Sequence, residues 1–240
     1  KEALEKTAAE CKKRNKDVEV KIVVLDLNEK DSLASKAAEA LTVFGKPVDV
    51  LINNGGVSTR VEARDCSISL DEYLLQVDFL SHVALTKELL GTMGENKNAR
   101  IINIGSIASK VGLPVRSAYC AAKHALLGFM DSLRIECILQ NHGHIHILNV
   151  ILGSTNTPIP LSSVVGVSGS TIKTFGEEDK NVASGLNAEF VAERILSVSH
   201  HKTVNECWLA KGKELLVLYI AQYIPQTGFR LLLRGMAKQY

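Results

Sequence analysis

Three side chains of this sequence have the chemistry to move a proton to and from an oxygen: the hydroxyl of Ser106, the phenol of Tyr119 and the ammonium of Lys123. A phenol titrates near pH ~10 in water, so one that works near neutrality needs an adjacent positive charge that favours the phenolate. Lys123 follows Tyr119 by four positions in Tyr119-Cys120-Ala121-Ala122-Lys123, and on a helix that spacing puts both on one face, one turn apart. Ser106 comes just after Arg100-Ile101-Ile102-Asn103-Ile104-Gly105, an apolar run that reads as a buried strand. Strand ends are where open parallel sheets place their sites. A hydroxyl, a phenol and an ammonium can therefore meet around one carbonyl oxygen.

The elements that must hold them alternate along the chain. Residues 1–15 form an amphipathic helical stretch, residues 18–25 a β-branched strand ending at Asp26, residues 31–44 a helix, and residues 48–52 a short strand entering the turn Asn53-Asn54-Gly55-Gly56. Helices over 70–90, 117–139 and 188–200 alternate with strands over 100–104, 145–151 and 204–209. This alternation predicts a single α/β domain, a doubly wound parallel sheet with helices on both faces. Residues 153–186 are rich in Ser, Gly and Thr and show no clear periodicity, so they read as a long functional loop.

Serine at a strand end, Tyr-x-x-x-Lys, the Asn-Asn-Gly turn and a later Gly-x-x-x-Thr in Gly153-Ser154-Thr155-Asn156-Thr157 occur here in one order. In this the sequence resembles the short-chain dehydrogenase/reductase family over nearly its whole length. Tyr119-Cys120-Ala121-Ala122-Lys123-His124-Ala125-Leu126 and the apolar stretch 214–225 are similar to the member 7 type within it. The resemblance implies a Rossmann-like sheet, NADP or NAD as cofactor, and hydride transfer between nicotinamide and an alcohol or carbonyl substrate of steroid, retinoid or other lipophilic kind. It gives Ser106, Tyr119, Lys123 and Asp78 the catalytic positions, with Tyr119 exchanging the proton, Ser106 orienting the oxygen and Lys123 tuning the phenol. It assigns Asp26 and Leu27 to the adenine, and Asn53 and Gly55 to the turn beside the adenosine ribose. Tyr119 and Lys123 go to the nicotinamide ribose and Thr157 to the carboxamide. It also makes 153–186 a substrate-covering segment. Residue types alone leave Asp26 open as an ordinary strand-ending turn residue and the Asn-Gly pair as an ordinary turn.

The sequence departs from the family at several points. Gly56 stands for an alanine, which should loosen the turn; Leu152 stands for a proline, which should leave the strand exit less fixed. Asp78 stands for an asparagine, and a carboxylate near Lys123 favours its ammonium while opposing phenolate on Tyr119, so slower proton transfer is expected. A Gly-rich turn that would receive a cofactor diphosphate at a helix N-terminus cannot be written from the glycines before Ile101. The sequence thus reads as N-terminally incomplete, without its first two strands. Residues 18–25 are then expected to pair directly with 48–52, leave a gap, or come loose, and the chain to be unstable and a poor cofactor binder. The competing reading is a shortened, cofactor-free protein kept as a binding or regulatory partner. Retention of Ser106, Tyr119 and Lys123 in register favours the enzyme.

Composition fits a globular α/β domain: 240 residues, 46% hydrophobic and 22% charged, with a net charge of +2. The basic residues are scattered among acids rather than clustered with aromatics, which argues against nucleic-acid binding. The five cysteines are widely spaced with no Cys-x-x-Cys pair, as expected of reduced thiols facing the cytosol. His142, His144 and His146 alternate and would share one face of a strand, but no acidic residue between Gln140 and Val150 orients them, so a polar strand entrance is preferred to a metal site. In the apolar C-terminal extension 214–240, the stretch 214–224 is shorter than the roughly 20 residues needed to span a bilayer, and Pro225 breaks it. Two readings of it stay open: a core or homo-oligomer packing segment, and an interfacial helix whose Arg230, Arg234 and Lys238 face lipid headgroups. The member 7 resemblance adds association with the endoplasmic reticulum membrane, there through an N-terminal segment.

Overall fold

Three apolar runs bounded by turns build the centre of the molecule. The structure, a computed structural model, describes residues 1–169 and 171–224. Strands β1 (Val50–Asn53), β2 (Arg100–Ser106), β3 (His146–Leu152) and β8 (Glu206–Leu209) form a four-stranded parallel sheet in that spatial order. β3, central and buried from His146 to Ile151, reads as the near-continuous apolar strand that a sheet covered on both faces requires.

Alternation along the strands sorts the two faces. Ile101 and Ile147 point to helices α2 (Leu33–Val43), α4 (Ser81–Met93) and α5 (Ser117–Leu139), packing with Met93, Leu126 and Met130. Ile102, Leu148 and Val150 point the other way, to Val191 and Ile195 of α7 (Ala188–Ser199). Helix α8 (Gly212–Tyr223) buries Leu218 against Ile151 and Val111. Each fully buried aliphatic side chain contributes roughly 1.5–3 kcal/mol. These two faces carry the fold.

Register across the three central strands is fixed by a polar ladder. Asn53, Asn103 and Asn149 are aligned partners on β1, β2 and β3, and all are buried. Asn53 Nδ2 donates to Asn103 Oδ1 (2.8 Å) and to Thr86 Oγ1 (3.1 Å), Asn103 Nδ2 to Asn149 Oδ1 (3.1 Å), and Asn149 Nδ2 to Asp131 Oδ1 (2.9 Å). A one-residue slip would strand these amides in an apolar interior, at about 1–3 kcal/mol for each unsatisfied group.

Two expectations from sequence are corrected. Residues 18–25 form no strand: within them the sole backbone bond outside regular elements, among the described residues, is Val18 N to Asn15 O (3.4 Å). β-branched composition favours extended backbone, but a ladder needs a neighbour. None lies alongside β1 on that side, where Val50 and Ile52 are exposed. Of the three outcomes foreseen for this segment, direct pairing with residues 48–52 does not occur. Helix α1 (Glu2–Arg14) before it buries no residue and touches the body through an Arg14–Glu189 ion pair at 2.6 Å.

The second correction is to the segment read as an irregular loop. It contains β4 (Thr155–Asn156) paired with β7 (Leu186–Asn187), an antiparallel hairpin of β5 (Val164–Ser168) and β6 (Thr171–Thr174), and the short helix α6 (Lys180–Ala183). The β-branched residues on either side of Gly169, which has φ +56°, were the signal. The alternating histidines sit at a strand entrance: His146 starts β3, its Nε2 donating to Val204 O (2.8 Å), and His142 and His144 precede it. The basic C-terminal positions Arg230, Arg234 and Lys238 lie outside the described residues. Among the described residues no helix is long and apolar enough to cross a membrane.

Candidate active site

Helix α5 carries Tyr119 and Lys123 into the end of the sheet. Its first turn starts at Ser117, so Tyr119 sits near the N-terminus, half-buried, and Lys123 one turn deeper and buried. The Lys123 ammonium lies 5.7 Å from the Tyr119 ring centroid and donates to Ile104 O on β2 at 3.4 Å. Ser106 ends β2 and caps the following turn of 3-10 helix: its Oγ accepts from Ala108 N (3.2 Å), which leaves the hydroxyl proton for another oxygen.

Behind Lys123 is Asp78. The helix expected over 70–90 is α3 (Ile68–Leu75) and α4 joined by one π-helical turn, Gln76–Leu80. Such turns insert an extra residue and are frequent at functional sites; this one carries Asp78, which is fully buried. Its Oδ2 is 3.9 Å from Lys123 Nζ, and its Oδ1 accepts from Val57 N at 2.8 Å. Burial pushes the Asp78 carboxyl up to about 6, although Lys123 and the Val57 amide pull it down. For Lys123 burial opposes the charge, but Asp78 and then Tyr119 outweigh it and the ammonium is held above its ordinary value. Lys123 is therefore charged, and Asp78 ionises as pH rises through about 6. His82, whose Nε2 donates to Gly55 O (2.8 Å), is pushed down to about 4 by burial and then by Lys123, so it is neutral.

Gly56 and Asp78 depart from the family pattern together, and the geometry says why. A Cβ on residue 56 would lie 2.8 Å from Asp78 Oδ1 and 3.4 Å from Lys123 Nζ. The carboxylate that pins the turn through Val57 N thus occupies the space an alanine methyl needs. Gly56→Ala is expected to lower stability by about 1–3 kcal/mol, an overpacking cost. In an Asp78→Ser background, where the clashing oxygen is withdrawn, the cost should shrink. Thermal melting of the four proteins checks this; equal costs in both backgrounds would contradict it.

Ser106, Tyr119 and Lys123 all line a cavity of about 900 Å³, together with Asn54, Gly55 and Gly56 on one side and Gly153, Ser154, Thr155 and Thr157 on another. Leu113, Ile159, Leu161, Val182, Val191 and Ile195 give it apolar walls. The strand exit at Leu152 is held by Glu214 of α8, whose Oε1 accepts from Ser154 N (2.8 Å) and Ser154 Oγ (2.6 Å). Gly153 is required there, because a Cβ would overlap that carboxylate. Sequence reading missed Glu214, which lies 60 positions from Ser154 with no local pattern to connect them.

Other residues singled out in the sequence lie elsewhere. Asn53 is in the asparagine ladder rather than on the cavity wall. Asp26 is exposed, and its Oδ1 accepts from Asn28 N (2.9 Å) as a turn residue does. Leu27 packs its side chain where a Cβ on Gly55 would go, and its carbonyl accepts from Gln76 Nε2 (3.1 Å). Thr157 donates to Thr155 O (3.3 Å) on the cavity wall.

Residues 1–163 match the family described as short chain dehydrogenase. The chain belongs to that family. It is 34% identical over 218 residues to dehydrogenase/reductase SDR family member 7B of Mus musculus, covering 91% of this chain and 65% of that protein. It is 31% identical over 210 residues to dehydrogenase/reductase SDR family member 7 of Homo sapiens, covering 88% and 60%. The chain therefore spans under two thirds of these curated relatives' length. Among solved structures, an alcohol dehydrogenase from Thermococcus sibiricus complexed with 5-hydroxy-NADP superposes with TM-score 0.70 at 20% identity, over 87% of this chain and 81% of that one. A short-chain dehydrogenase from Streptomyces avermitilis gives 0.69 at 22%, over 96% and 86%. At such identity these likenesses speak to the fold alone, a Rossmann-like parallel α/β sheet.

Proposed function

We propose that this site is the proton-transfer centre of an NAD(P)-dependent oxidoreductase acting on a lipophilic alcohol or carbonyl. The observation that carries the reading is the placement of Ser106, Tyr119 and Lys123 on one cavity wall with the ammonium against the phenol ring. The Ser106 hydroxyl proton is directed at the substrate oxygen, and the Tyr119 phenol gives that oxygen its proton or takes it away. The charge of Lys123 offsets the negative charge that develops on the phenol, and Asp78 fixes the ammonium from behind while moderating its effect. The apolar walls exclude water and suit a hydrocarbon body.

A nicotinamide-ribose group fits this cavity. Hydroxyls of Tyr119, Ser154, Thr155 and Thr157 and the Lys123 ammonium are all on its walls. Tyr119 and Lys123 would hold the ribose and Thr157 the carboxamide. When bound, nicotinamide supplies or accepts the hydride that a protein side chain cannot. The adenine-side assignments are weaker on this geometry, since Asp26 is engaged in its own turn and Leu27 is packed against Gly55. Oxidation of NADPH or NADH followed by absorbance across a panel of aldehydes, ketones and steroid or retinoid carbonyls tests the reading; carbonyl-dependent oxidation is expected for lipophilic members and none for polar ones.

One observation favours a second reading, a cofactor-free binding partner: residues 18–25, which lead into Asp26, join no sheet. In that case neither dinucleotide would protect the chain from thermal unfolding, whereas the oxidoreductase reading expects protection.

A further inference from the structure

Beside the cavity lies a charge cluster, with Arg60 and Arg116 on the cavity wall, that proton transfer does not use. Asp179 Oδ2 accepts from Arg60 at 2.9 Å and from Arg116 at 3.1 Å, with the three side chains only 10% to 21% exposed. The other oxygen of Asp179 caps helix α6 through Asn181 N (2.9 Å) and Val182 N (3.4 Å). One carboxylate thus ties two arginines of the body to the segment after β3.

The three come from separate parts of the chain, and the backbone is arranged to bring them together. Residues 59–61 bridge in parallel to Val164 and to Arg116, with Val61 N donating to Val115 O (2.9 Å). Val115 has φ +53°, a conformation a β-branched residue rarely adopts and one that marks stored strain at functional positions. The next residue is Arg116, and Tyr119 follows it by three positions. Arg60, Arg116 and Val182 line the same cavity as Tyr119. Asp179 is held below the ordinary carboxylate range: burial alone would raise it, and Arg60 with the α6 amides more than offsets that.

We propose that Asp179 is a positioning residue that latches the cavity wall carrying Thr157, Ile159, Leu161 and Val182 onto Arg60 and Arg116, and so sets where a substrate lies relative to Tyr119. The consequence for turnover rests on the oxidoreductase reading, but the latch itself does not. With the carboxylate in place, Val182 and the α6 turn are fixed against the start of the helix that bears Tyr119. Without it the ties from Arg60 and Arg116 to the α6 turn are lost, and the wall swings outward.

The test compares the full chain with Asp179→Asn and Asp179→Glu. Limited proteolysis at native conditions should cut within 155–182 about tenfold faster in Asp179→Asn, as local opening becomes more populated, and near the parent rate in Asp179→Glu. In the oxidation assay Asp179→Asn should raise substrate KM about tenfold with little change in kcat, the pattern of lost positioning. Unchanged cutting in Asp179→Asn, with unchanged melting temperature, would overturn the latch whatever the activity. Faster cutting with no turnover in any of the proteins would keep the latch and overturn the oxidoreductase reading instead. If Asp179→Asn melts as a whole, the paired replacement Arg116→Gln decides the matter, since it removes one guanidinium and leaves the α6 cap intact.

Discussion

Tyr119→Phe is expected to lower kcat by about 10²–10⁴-fold, the range for losing a positioned general acid or base, with the melting temperature unchanged. The ring would keep its contacts with the cluster around Leu70, Leu74 and Ala118, and only the hydroxyl in the cavity would go. Ser106→Ala is a less clean test, because the Ser106 oxygen also accepts from Ala108 N and its loss uncaps the following turn. The measurement is steady-state oxidation of reduced cofactor in the presence of an active carbonyl, with melting curves as the control. A phenylalanine variant that retains most of its kcat would remove Tyr119 from the proton path.

The largest effect on stability is expected at the buried ion pair. Lys123→Met leaves Asp78 fully buried without its counter-charge and should destabilise the chain by about 3–5 kcal/mol at pH 8. The pH dependence has a definite sign. The folded Asp78 carboxyl lies at about 6, above its ordinary 3.8, so the folded state holds this proton more tightly than the unfolded state. Its contribution therefore turns unfavourable as pH rises from 3.8 through about 6. Without Lys123 the carboxyl moves further up, and the deficit against the parent should be much smaller at pH 5 than at pH 8. Lys123 behaves oppositely: the Asp78 carboxylate raises its folded value above 10.5, so once Asp78 is ionised its stabilisation is complete up to 10.5 and is lost as pH climbs through the folded value. Urea unfolding of parent and variant at the two pH values checks this, and equal deficits would contradict it.

Much of this was legible in the sequence because it is local. The helix over 117–139 was visible in its own periodicity, and with it the one-turn spacing of Tyr119 and Lys123. The buried strands β2 and β3 were visible as β-branched apolar runs. Residues 18–25 show the limit of that reading: their composition was strand-like, but a strand is a property of two chains, and composition cannot supply a neighbour. The hairpin of β5 and β6 was obscured for the opposite reason, since the Ser, Gly and Thr that suggested a loop are also the residues of a tight turn between short strands. The contacts that shape the site were the least visible. Asp78 with Gly56, Glu214 with Ser154, and Asp179 with Arg60 and Arg116 are all long-range pairs of ordinary residue types. The π-turn that swings Asp78 inward has no sequence signature of its own.

The most direct test of the central reading is to follow the hydride. The protein is incubated with cofactor deuterated at the transferring nicotinamide carbon and with the best carbonyl from the panel, and the product alcohol is analysed by mass spectrometry. The account predicts one deuterium at the former carbonyl carbon, formed by the parent protein and lost with Tyr119→Phe. No deuterium above the protein-free control, with every carbonyl and both dinucleotides, would contradict it and leave Ser106, Tyr119 and Lys123 as a binding site without a reaction.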